Sequence, residues 1–224
     1  MMQTSNKSFV DKQLQEYLDG LLPLLDGELG VLQRRAYDEG LPIISPHVVS
    51  LFCGLLASKR PANVLEIGCG IGFSTSLFAS FLADGGKVVT IERYDYMAER
   101  AIKNFARLGL DDKITLLRED AAVALPRLAE SGANFDFIFM DCGKAQYLHF
   151  LPYCIDMLAP GGILAVDDVL QRGSVAWDFD KIAKRQRTTY KNLREFLTAA
   201  MQAKGCFSSI LPMSDGVLLC VKGV

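Results

Sequence analysis

Two groups of residues in this sequence have the types and spacings that chemistry requires, and the first is a glycine-rich turn. Gly68, Gly70 and Gly72 follow a short apolar run, and Glu92 comes about twenty positions later. Such a turn lets a ligand approach the N-terminus of the next helix, and an acidic residue at that distance accepts hydrogen bonds from ribose hydroxyls. The pattern predicts a nucleotide-like cofactor, although the same glycines could serve only to make a tight strand–helix turn.

The spacing of the glycines argues against a dinucleotide. The dinucleotide fingerprint is GxGxxG, whereas this chain reads GxGxG. The helix therefore begins sooner, and the third glycine that a pyrophosphate usually needs is missing. An NAD-dependent oxidoreductase and a cofactor-binding module without catalysis remain as alternatives from other functional classes.

The second group is three carboxylates at the ends of two later apolar runs. Asp141 ends one run, and Asp167 and Asp168 end the next. Carboxylates that converge at one sheet edge raise each other's pKa unless a cation lies among them, and an oxygen-only ligand set favours Mg²⁺ or Ca²⁺ over Zn²⁺. The sequence predicts a divalent cation here, with helix capping or a hydrogen bond to the cofactor as the alternative role of each aspartate.

A parallel sheet is needed to bring the two groups together, and the apolar runs predict one. The runs are short and nearly continuous, which is typical of strands covered by helices on both faces, and helical patterns fill the gaps between them. A doubly wound, mostly parallel α/β sheet follows, with ligands at the carboxyl ends of its strands. The predicted strands are Asn63–Ile67, Lys87–Glu92, Lys113–Leu117, Phe135–Asp141 and Gly162–Asp168, and the predicted helices are Ser74–Leu82, Tyr94–Leu108, Ala121–Glu130 and Ala145–Leu158.

The two ends of the chain differ from this pattern. Cys206–Met213 and Val217–Lys222 are apolar runs joined by Ser214-Asp215-Gly216, which predicts an antiparallel hairpin and brings the sheet to seven strands. Residues 1–60 read as an N-terminal helical extension, in which Leu14, Tyr17, Leu18 and Leu21 form an apolar face expected to pack. We expect a single domain over residues 1–224, with its core in residues 61–224.

Composition limits the remaining possibilities. The formal net charge is −2, which gives no overall reason to expect a nucleic acid or a membrane surface as a partner. No apolar run is long enough to span a membrane, and the polar N-terminus lacks a signal peptide, so a cytoplasmic location is expected. The six cysteines form no CxxC pair and read as reduced thiols, and two histidines are too few for a histidine-based metal site.

The glycine turn carries a resemblance to a known family. Glu66–Ser74, which reads Glu-Ile-Gly-Cys-Gly-Ile-Gly-Phe-Ser, resembles motif I of the class I S-adenosylmethionine-dependent methyltransferases. The resemblance implies a Rossmann-like methyltransferase fold with the methionine part of the cofactor over the glycines, the ribose on Glu92 and the adenine near Asp120 and Ala121. The implied cofactor-binding residues are Glu66, Gly68, Gly70, Gly72, Ser74, Glu92, Asp120, Ala121 and Asp141.

The acidic strand ends narrow this resemblance. Asp141–Tyr147 is similar to the D-x-x-K-x-x-Y motif of the cation-dependent O-methyltransferases of the catechol and caffeoyl-CoA type, and Asp167–Gly173 is similar to their D-N-V-L-x-x-G motif. The resemblance implies that Asp141, Asp167 and Asp168 bind the metal, expected to be Mg²⁺, and that Lys144 lies beside the reacting hydroxyl and takes its proton. A plain salt bridge is the alternative for Lys144. This chain has aspartate at position 168 where the family usually has asparagine, which leaves the metal preference open.

A basic segment after the acidic strand bears on the acceptor. Lys181–Arg194 carries several positive charges, including Lys184, Arg185 and Arg187. The segment from Asp168 to Arg187, together with Gly40–Ile44, resembles the bacterial tRNA 5-hydroxyuridine methyltransferases. The resemblance favours a tRNA wobble uridine as acceptor, with a small catechol or a caffeoyl-CoA-type compound as the alternative. The alternative is that these charges simply form a solvated helix face without a binding role. Trp177 either walls the substrate pocket or covers the sheet edge, and the family resemblance implies a homodimer.

Overall fold

The computed structural model describes residues 12–23 and 25–224. The strands are β1 (Asn63–Ile67), β2 (Lys87–Ile91), β3 (Ile114–Leu117), β4 (Phe135–Met140), β5 (Leu158–Val166), β6 (Cys206–Leu211) and β7 (Val217–Lys222). The α-helices are α1 (Lys12–Asp19), α2 (Gly27–Asp38), α3 (Pro46–Lys59), α4 (Phe73–Ala79), α5 (Asp95–Leu108), α6 (Ala121–Glu130), α7 (Tyr147–Met157) and α8 (Arg187–Met201).

All seven strands form one sheet in the order β3-β2-β1-β4-β5-β7-β6. β1 to β5 pair in parallel, whereas β7 is antiparallel to both β5 and β6. The chain reverses its direction of winding between β1 and β4, the point at which open α/β sheets bind their ligands. The predicted doubly wound sheet with an antiparallel C-terminal hairpin is confirmed.

Apolar cores lie on both faces of the sheet. On one face α3 and α4 pack through Phe52 and Phe78 against Phe137 and Phe139 of β4, with ring centroids 5.1–5.9 Å apart in edge-to-face geometry. On the other face α6, α7 and α8 pack against the same strands. Burial on both faces explains why the strand sequences are nearly continuously apolar.

Two elements differ from the sequence predictions by more than three residues. β5 begins at Leu158 rather than Gly162, because a register shift between Phe135 and Phe137 lets Leu158 pair with Phe135 ahead of the regular ladder. α8 was not among the predicted helices, although a solvated helix face was the alternative interpretation of the basic segment in which it begins. Its buried residues are Tyr190, Leu193, Phe196 and Ala200, which are spaced at three and four positions, as one helical face requires.

The N-terminal region also differs from its prediction. Leu14, Tyr17, Leu18 and Leu21, which were expected to pack, are 36–64% exposed. The contact of α1 with α3 is polar instead, since Gln15 and Asp19 each approach His47 Nε2 at 3.2 Å. Within the described ranges, no helix is both long and apolar enough to span a membrane. All six cysteines are free thiols, as predicted.

Candidate active site

A cavity of about 550 Å³ opens at the carboxyl ends of the central strands, and most of the predicted cofactor residues lie in its wall. Its volume is within the range of small-ligand sites. The wall includes Gly68, Gly70, Ser74, Glu92, Asp120, Ala121 and Asp141 of the predicted set, together with Pro42, Ile43, Ile44, Arg93, Tyr94, Met97, Cys142, Gly143, Gln146 and Phe150. The segment before α3 therefore covers one side of the cavity, which the sequence did not indicate.

The glycine turn is shaped by close backbone contacts. Gly68 has φ +101°, and a Cβ there would lie 2.0 Å from the carbonyl oxygen of Asp141. Gly72 has φ +81° and begins α4, where a Cβ would lie 2.5 Å from the Phe105 ring. Gly68 therefore allows the turn to touch the end of β4, whereas Gly72 packs against α5 and is not part of the cavity wall.

Glu92 joins the glycine turn to the cavity. One of its carboxylate oxygens accepts a hydrogen bond from Gly70 N–H at 2.9 Å, and the other accepts one from Tyr94 N–H at 2.8 Å. Each oxygen keeps a further lone pair, so the carboxylate can still accept bonds from vicinal hydroxyls. This geometry fits the ribose-binding role implied by the resemblance.

Glu66 lies beneath the turn instead of beside a ligand. Its side chain is fully buried, and its oxygens accept hydrogen bonds from the hydroxyls of Ser74, Thr75 and Thr90. Burial raises the pKa of Glu66 to about 7, although these hydrogen bonds oppose the rise. Glu66 is not part of the cavity wall, so in this structure it ties β1 to α4 and β2 and supports the turn from below.

The far end of the cavity is formed by Asp120 and two residues that the sequence did not single out. Asp120 caps α6 by accepting Ala122 N–H at 2.8 Å, and it pairs with Arg93 at 3.1 Å. The Arg93 guanidinium in turn stacks on the Tyr94 ring at 4.7 Å from the centroid. Arg93 and Tyr94 directly follow Glu92 in the sequence, and this position was the sequence signal that could have placed them in the site.

The three carboxylates influence one another electrostatically, and Asp141 also lies in the cavity wall. The pKa of Asp141 is raised to about 6, first by burial and then by the charge of Asp168, against a smaller opposing effect of Lys144. The pKa of Asp167 is raised to about 8 by burial and by the charges of both other aspartates. The Tyr147 hydroxyl donates to the backbone carbonyl of Asp167 at 3.1 Å and anchors this strand end.

The chemistry of this cluster fits a hard divalent cation. Two poorly solvated carboxylates beside a third are unfavourable when ionised, and a cation would relieve that cost. Their arrangement is nevertheless not a formed metal site, because the described part of the chain contains no group of three His, Cys, Asp or Glu side chains placed to hold one. Asp168 instead pairs with Lys144 at 3.1 Å and has a left-handed backbone with φ +60°. That conformation suits asparagine and aspartate better than most residues.

Lys144 lies between two carboxylates from different elements. Its Nζ is 3.1 Å from Asp168 and 3.2 Å from Asp215, which lies in the turn between β6 and β7. This is the salt-bridge arrangement that the sequence left as the alternative, and it places the amine beside the acidic strand ends. Asp215 was interpreted only as a turn residue, and turn chemistry alone gave no signal of this contact.

The basic segment lies outside the cavity wall. Arg187 stacks on the Phe179 ring at 4.6 Å from the centroid and donates to the Ile182 carbonyl at 3.1 Å, so it has a local structural role. Lys184 and Arg185 are exposed. Trp177 is 46% exposed, and its carbonyl accepts the Tyr190 hydroxyl at 2.8 Å.

The chain is similar to known proteins in both sequence and structure. Residues 42–223 match the family model described as O-methyltransferase. A catechol O-methyltransferase from Niastella koreensis is 32% identical over 168 residues, 73% of this chain and 76% of that protein. Caffeoyl-CoA O-methyltransferase 1 from Nicotiana tabacum is 30% identical, over 84% of this chain and 77% of that protein. The crystal structure of an O-methyltransferase from Bacillus cereus in complex with SAH superposes with a TM-score of 0.80 at 25% identity, over 94% of this chain and 97% of that one.

Proposed function

The chain belongs to the O-methyltransferase family, and from that premise we propose that it methylates one hydroxyl of a vicinal oxygen pair on a small aromatic acceptor, with S-adenosylmethionine as donor. The observation that carries the proposal is Asp141, which lies in the wall of the cofactor cavity and also within the acidic cluster beside Lys144. A methyl donor and an acceptor oxygen bound on either side of Asp141 would meet there. Because the chain belongs to this family, an NAD-dependent oxidoreductase and a binding module without catalysis are dropped as alternative functions.

The cavity wall supports a specific orientation of the donor. Glu92 would accept the ribose hydroxyls with the lone pairs left free by Gly70 and Tyr94. The adenine would lie toward Asp120 and Ala121, and the methionine part toward Gly68 and Asp141. SAH is the product that remains when S-adenosylmethionine has lost its methyl group, so the Bacillus cereus complex supports this choice of cofactor.

The acceptor oxygen must lose its proton as it attacks the methyl carbon. The oxygen–carbon bond forms in line with the breaking carbon–sulfur bond, and a neutral hydroxyl is a poor nucleophile for this step. Asp141, Asp167 and Asp168 would hold a divalent cation, expected to be Mg²⁺, which when bound would acidify the hydroxyl and orient the oxygen pair. Lys144 Nζ would receive the proton from the acceptor oxygen, and its two carboxylate neighbours fix the position of that amine.

The choice between acceptors rests on the relatives and on the position of the basic segment. The relatives compared above are named for catechol and caffeoyl-CoA, which supports the small aromatic acceptor. The tRNA 5-hydroxyuridine suggested by the basic segment is the second candidate, and it is supported only by the exposed cations Lys184 and Arg185. The Arg187 guanidinium already stacks on the Phe179 ring and donates to the Ile182 carbonyl.

A methyl-transfer assay with radiolabelled S-adenosylmethionine tests both candidates. Purified protein would be given catechol, caffeate, caffeoyl-CoA, or tRNA from cells that lack 5-hydroxyuridine methylation. We expect label on at least one of the three small acceptors, loss of transfer after exhaustive EDTA treatment and recovery with Mg²⁺. Transfer to tRNA alone would reverse the order of the two candidates, and full activity after EDTA would contradict the metal.

A paired variant separates the acceptors further. Lys184→Ala with Arg185→Ala removes two exposed cations without touching the stacked Arg187. We expect transfer to a small catechol to stay within twofold of the wild type. A selective loss on tRNA would instead support the nucleic-acid acceptor.

A homodimer and a cytoplasmic location are also proposed, on the family resemblance. The exposed apolar side chains of Tyr17, Leu18 and Leu21 near the N-terminus suit a surface that is covered by a second copy. Light scattering of the purified protein tests the dimer, and a monomeric mass at micromolar concentration would contradict it.

A further inference from the structure

Two loops with unusual backbone conformations pack against each other at the edge of the acidic cluster. Asp168, Gln171 and Arg172 follow β5 with φ of 60°, 47° and 54°, and Ser214 in the β6–β7 turn has φ 52°. Left-handed conformations at residues other than glycine are uncommon and persist only where surrounding contacts enforce them. Four of the five such residues in the described part of the chain lie in these two loops.

Backbone hydrogen bonds join the two loops. Val169 N–H donates to the Gly216 carbonyl at 3.0 Å, and Leu170 N–H donates to the Asp215 carbonyl at 2.8 Å. The contact is close, since a Cβ on Gly216 would lie 2.3 Å from Leu170 Cγ. The hairpin tip therefore holds the loop that begins at Asp168.

The Asp215 side chain adds two contacts that the turn itself does not need. Gly216 N–H closes the turn on the Met213 carbonyl at 2.7 Å with backbone atoms alone. The Asp215 carboxylate points away from that turn: one oxygen accepts Arg172 N–H, and the other lies 3.2 Å from Lys144 Nζ. One carboxylate thus touches both the strained loop and the amine that we assign as the proton acceptor.

We propose that Asp215 is a positioning residue for methyl transfer, which holds Lys144 and the loop bearing Asp168 in one fixed arrangement. The proposal rests on the function proposed above. Asp168 is 44% exposed, so water screens its ion pair with Lys144. Asp215 is only 20% exposed and lies in the hairpin turn that Gly216 N–H closes, so it supplies the less screened partner. It is absent from the cofactor cavity wall, and its loss should lower kcat while leaving cofactor binding unchanged.

Two substitutions separate the two contacts. Asp215→Asn keeps a carbonyl oxygen for Arg172 N–H but loses the negative charge facing Lys144. Asp215→Ala loses both contacts. Asp136→Ala is the matched control, because that carboxylate also accepts backbone N–H groups, from Ala62 and Asn63 at 2.8 and 2.9 Å, but lies near the amino end of β4, away from the acidic strand ends.

The measurements are kcat and KM for a catechol acceptor, the Kd of S-adenosylmethionine by calorimetry, and the thermal midpoint. Two further measurements do not depend on turnover: hydrogen exchange of the Arg172 amide by NMR, and the rate of Lys144 acetylation relative to exposed Lys103. We expect kcat to fall at least tenfold in both Asp215 variants, with KM and Kd within threefold of the wild type. Arg172 should exchange at least tenfold faster in the alanine variant only, and Lys144 should be acetylated at least threefold faster in both.

Several outcomes would overturn the proposal. One is kcat within twofold of the wild type in Asp215→Asn together with unchanged Lys144 acetylation. Another is an Asp136→Ala control that loses as much kcat as Asp215→Ala at an equal loss of thermal stability, which would indicate a general structural effect. If the wild type methylates none of the acceptors, the proposed function fails, and Arg172 exchange and Lys144 acetylation still decide whether Asp215 holds the two groups.

Discussion

Replacing Glu66 with glutamine should change how the stability of the protein depends on pH. Glu66 is fully buried, and its pKa is raised to about 7 from an ordinary value of 4.5, mainly by burial. Glutamine has nearly the same shape and no charge. The comparison therefore isolates the cost of ionising this one carboxyl group inside the fold.

The sign follows from proton binding in the two states. Between pH 4.5 and about 7 the folded state holds a proton on Glu66 that the unfolded state has released. The stabilising contribution of Glu66 is therefore fully present below pH 4.5 and is lost as the pH rises through about 7. The pKa difference of about 2.5, from 4.5 to about 7, corresponds to about 3.5 kcal/mol in full, at ~1.4 kcal/mol per pH unit.

Urea unfolding of the wild type and Glu66→Gln at pH 5, 6, 7 and 8 measures this effect. We expect the variant to gain up to about 3 kcal/mol relative to the wild type across that range. Glu130→Gln, which removes an exposed carboxyl on α6, is the control for the chemical change from glutamate to glutamine. A pH-independent Glu66→Gln difference, or a variant that becomes less stable toward pH 8, would refute the reasoning. It would mean that Ser74, Thr75 and Thr90 stabilise the ionised carboxylate at least as much as burial destabilises it.

Three further substitutions test the site. Lys144→Ala should lower kcat by roughly 10²–10⁴-fold because the proton acceptor is lost, while calorimetry shows S-adenosylmethionine binding within threefold; near-normal turnover would exclude Lys144 as the base. Glu92→Ala should weaken S-adenosylmethionine binding by roughly tenfold or more, since hydrogen bonds to charged groups contribute about 1.5–3 kcal/mol, and an unchanged Kd would remove the ribose assignment. Gly68→Ala should lower the free energy of unfolding by roughly 3 kcal/mol or more, because its Cβ would lie 2.0 Å from the Asp141 carbonyl oxygen; an unfolding free energy equal to that of the wild type would show that the turn relaxes freely.

Local sequence patterns were sufficient where one physical signal decided the structure. β1, β7 and α6 have the predicted bounds, because each is a short apolar or amphipathic run closed by clear turn or capping residues. For α8 only a solvated helix face was considered, whereas its buried positions have helical spacing and one face packs against the sheet. The start of β5 was missed because it depends on a register shift against β4, which no local pattern encodes.

The site shows the same division between local and long-range information. The glycine turn, Glu92 and the three aspartates could be found because each ends or follows a strand, and parallel strands present those ends at one edge. The buried role of Glu66 could not be found, since it depends on hydroxyls supplied by α4 and by β2, on a neighbouring strand.

Asp215 shows most clearly what could not be predicted from local sequence patterns. It is separated from Lys144 by 71 positions, and the contact exists only because antiparallel β7 returns beside β5 and turns the hairpin tip toward the acidic strand ends. Its sequence context was fully explained by turn formation, so no unexplained feature pointed to a second role. Only the structure shows that the Asp215 carboxylate is directed away from its own turn, and that direction indicates its second role. The C-terminal hairpin closes the sheet, and it also delivers the second carboxylate that holds Lys144.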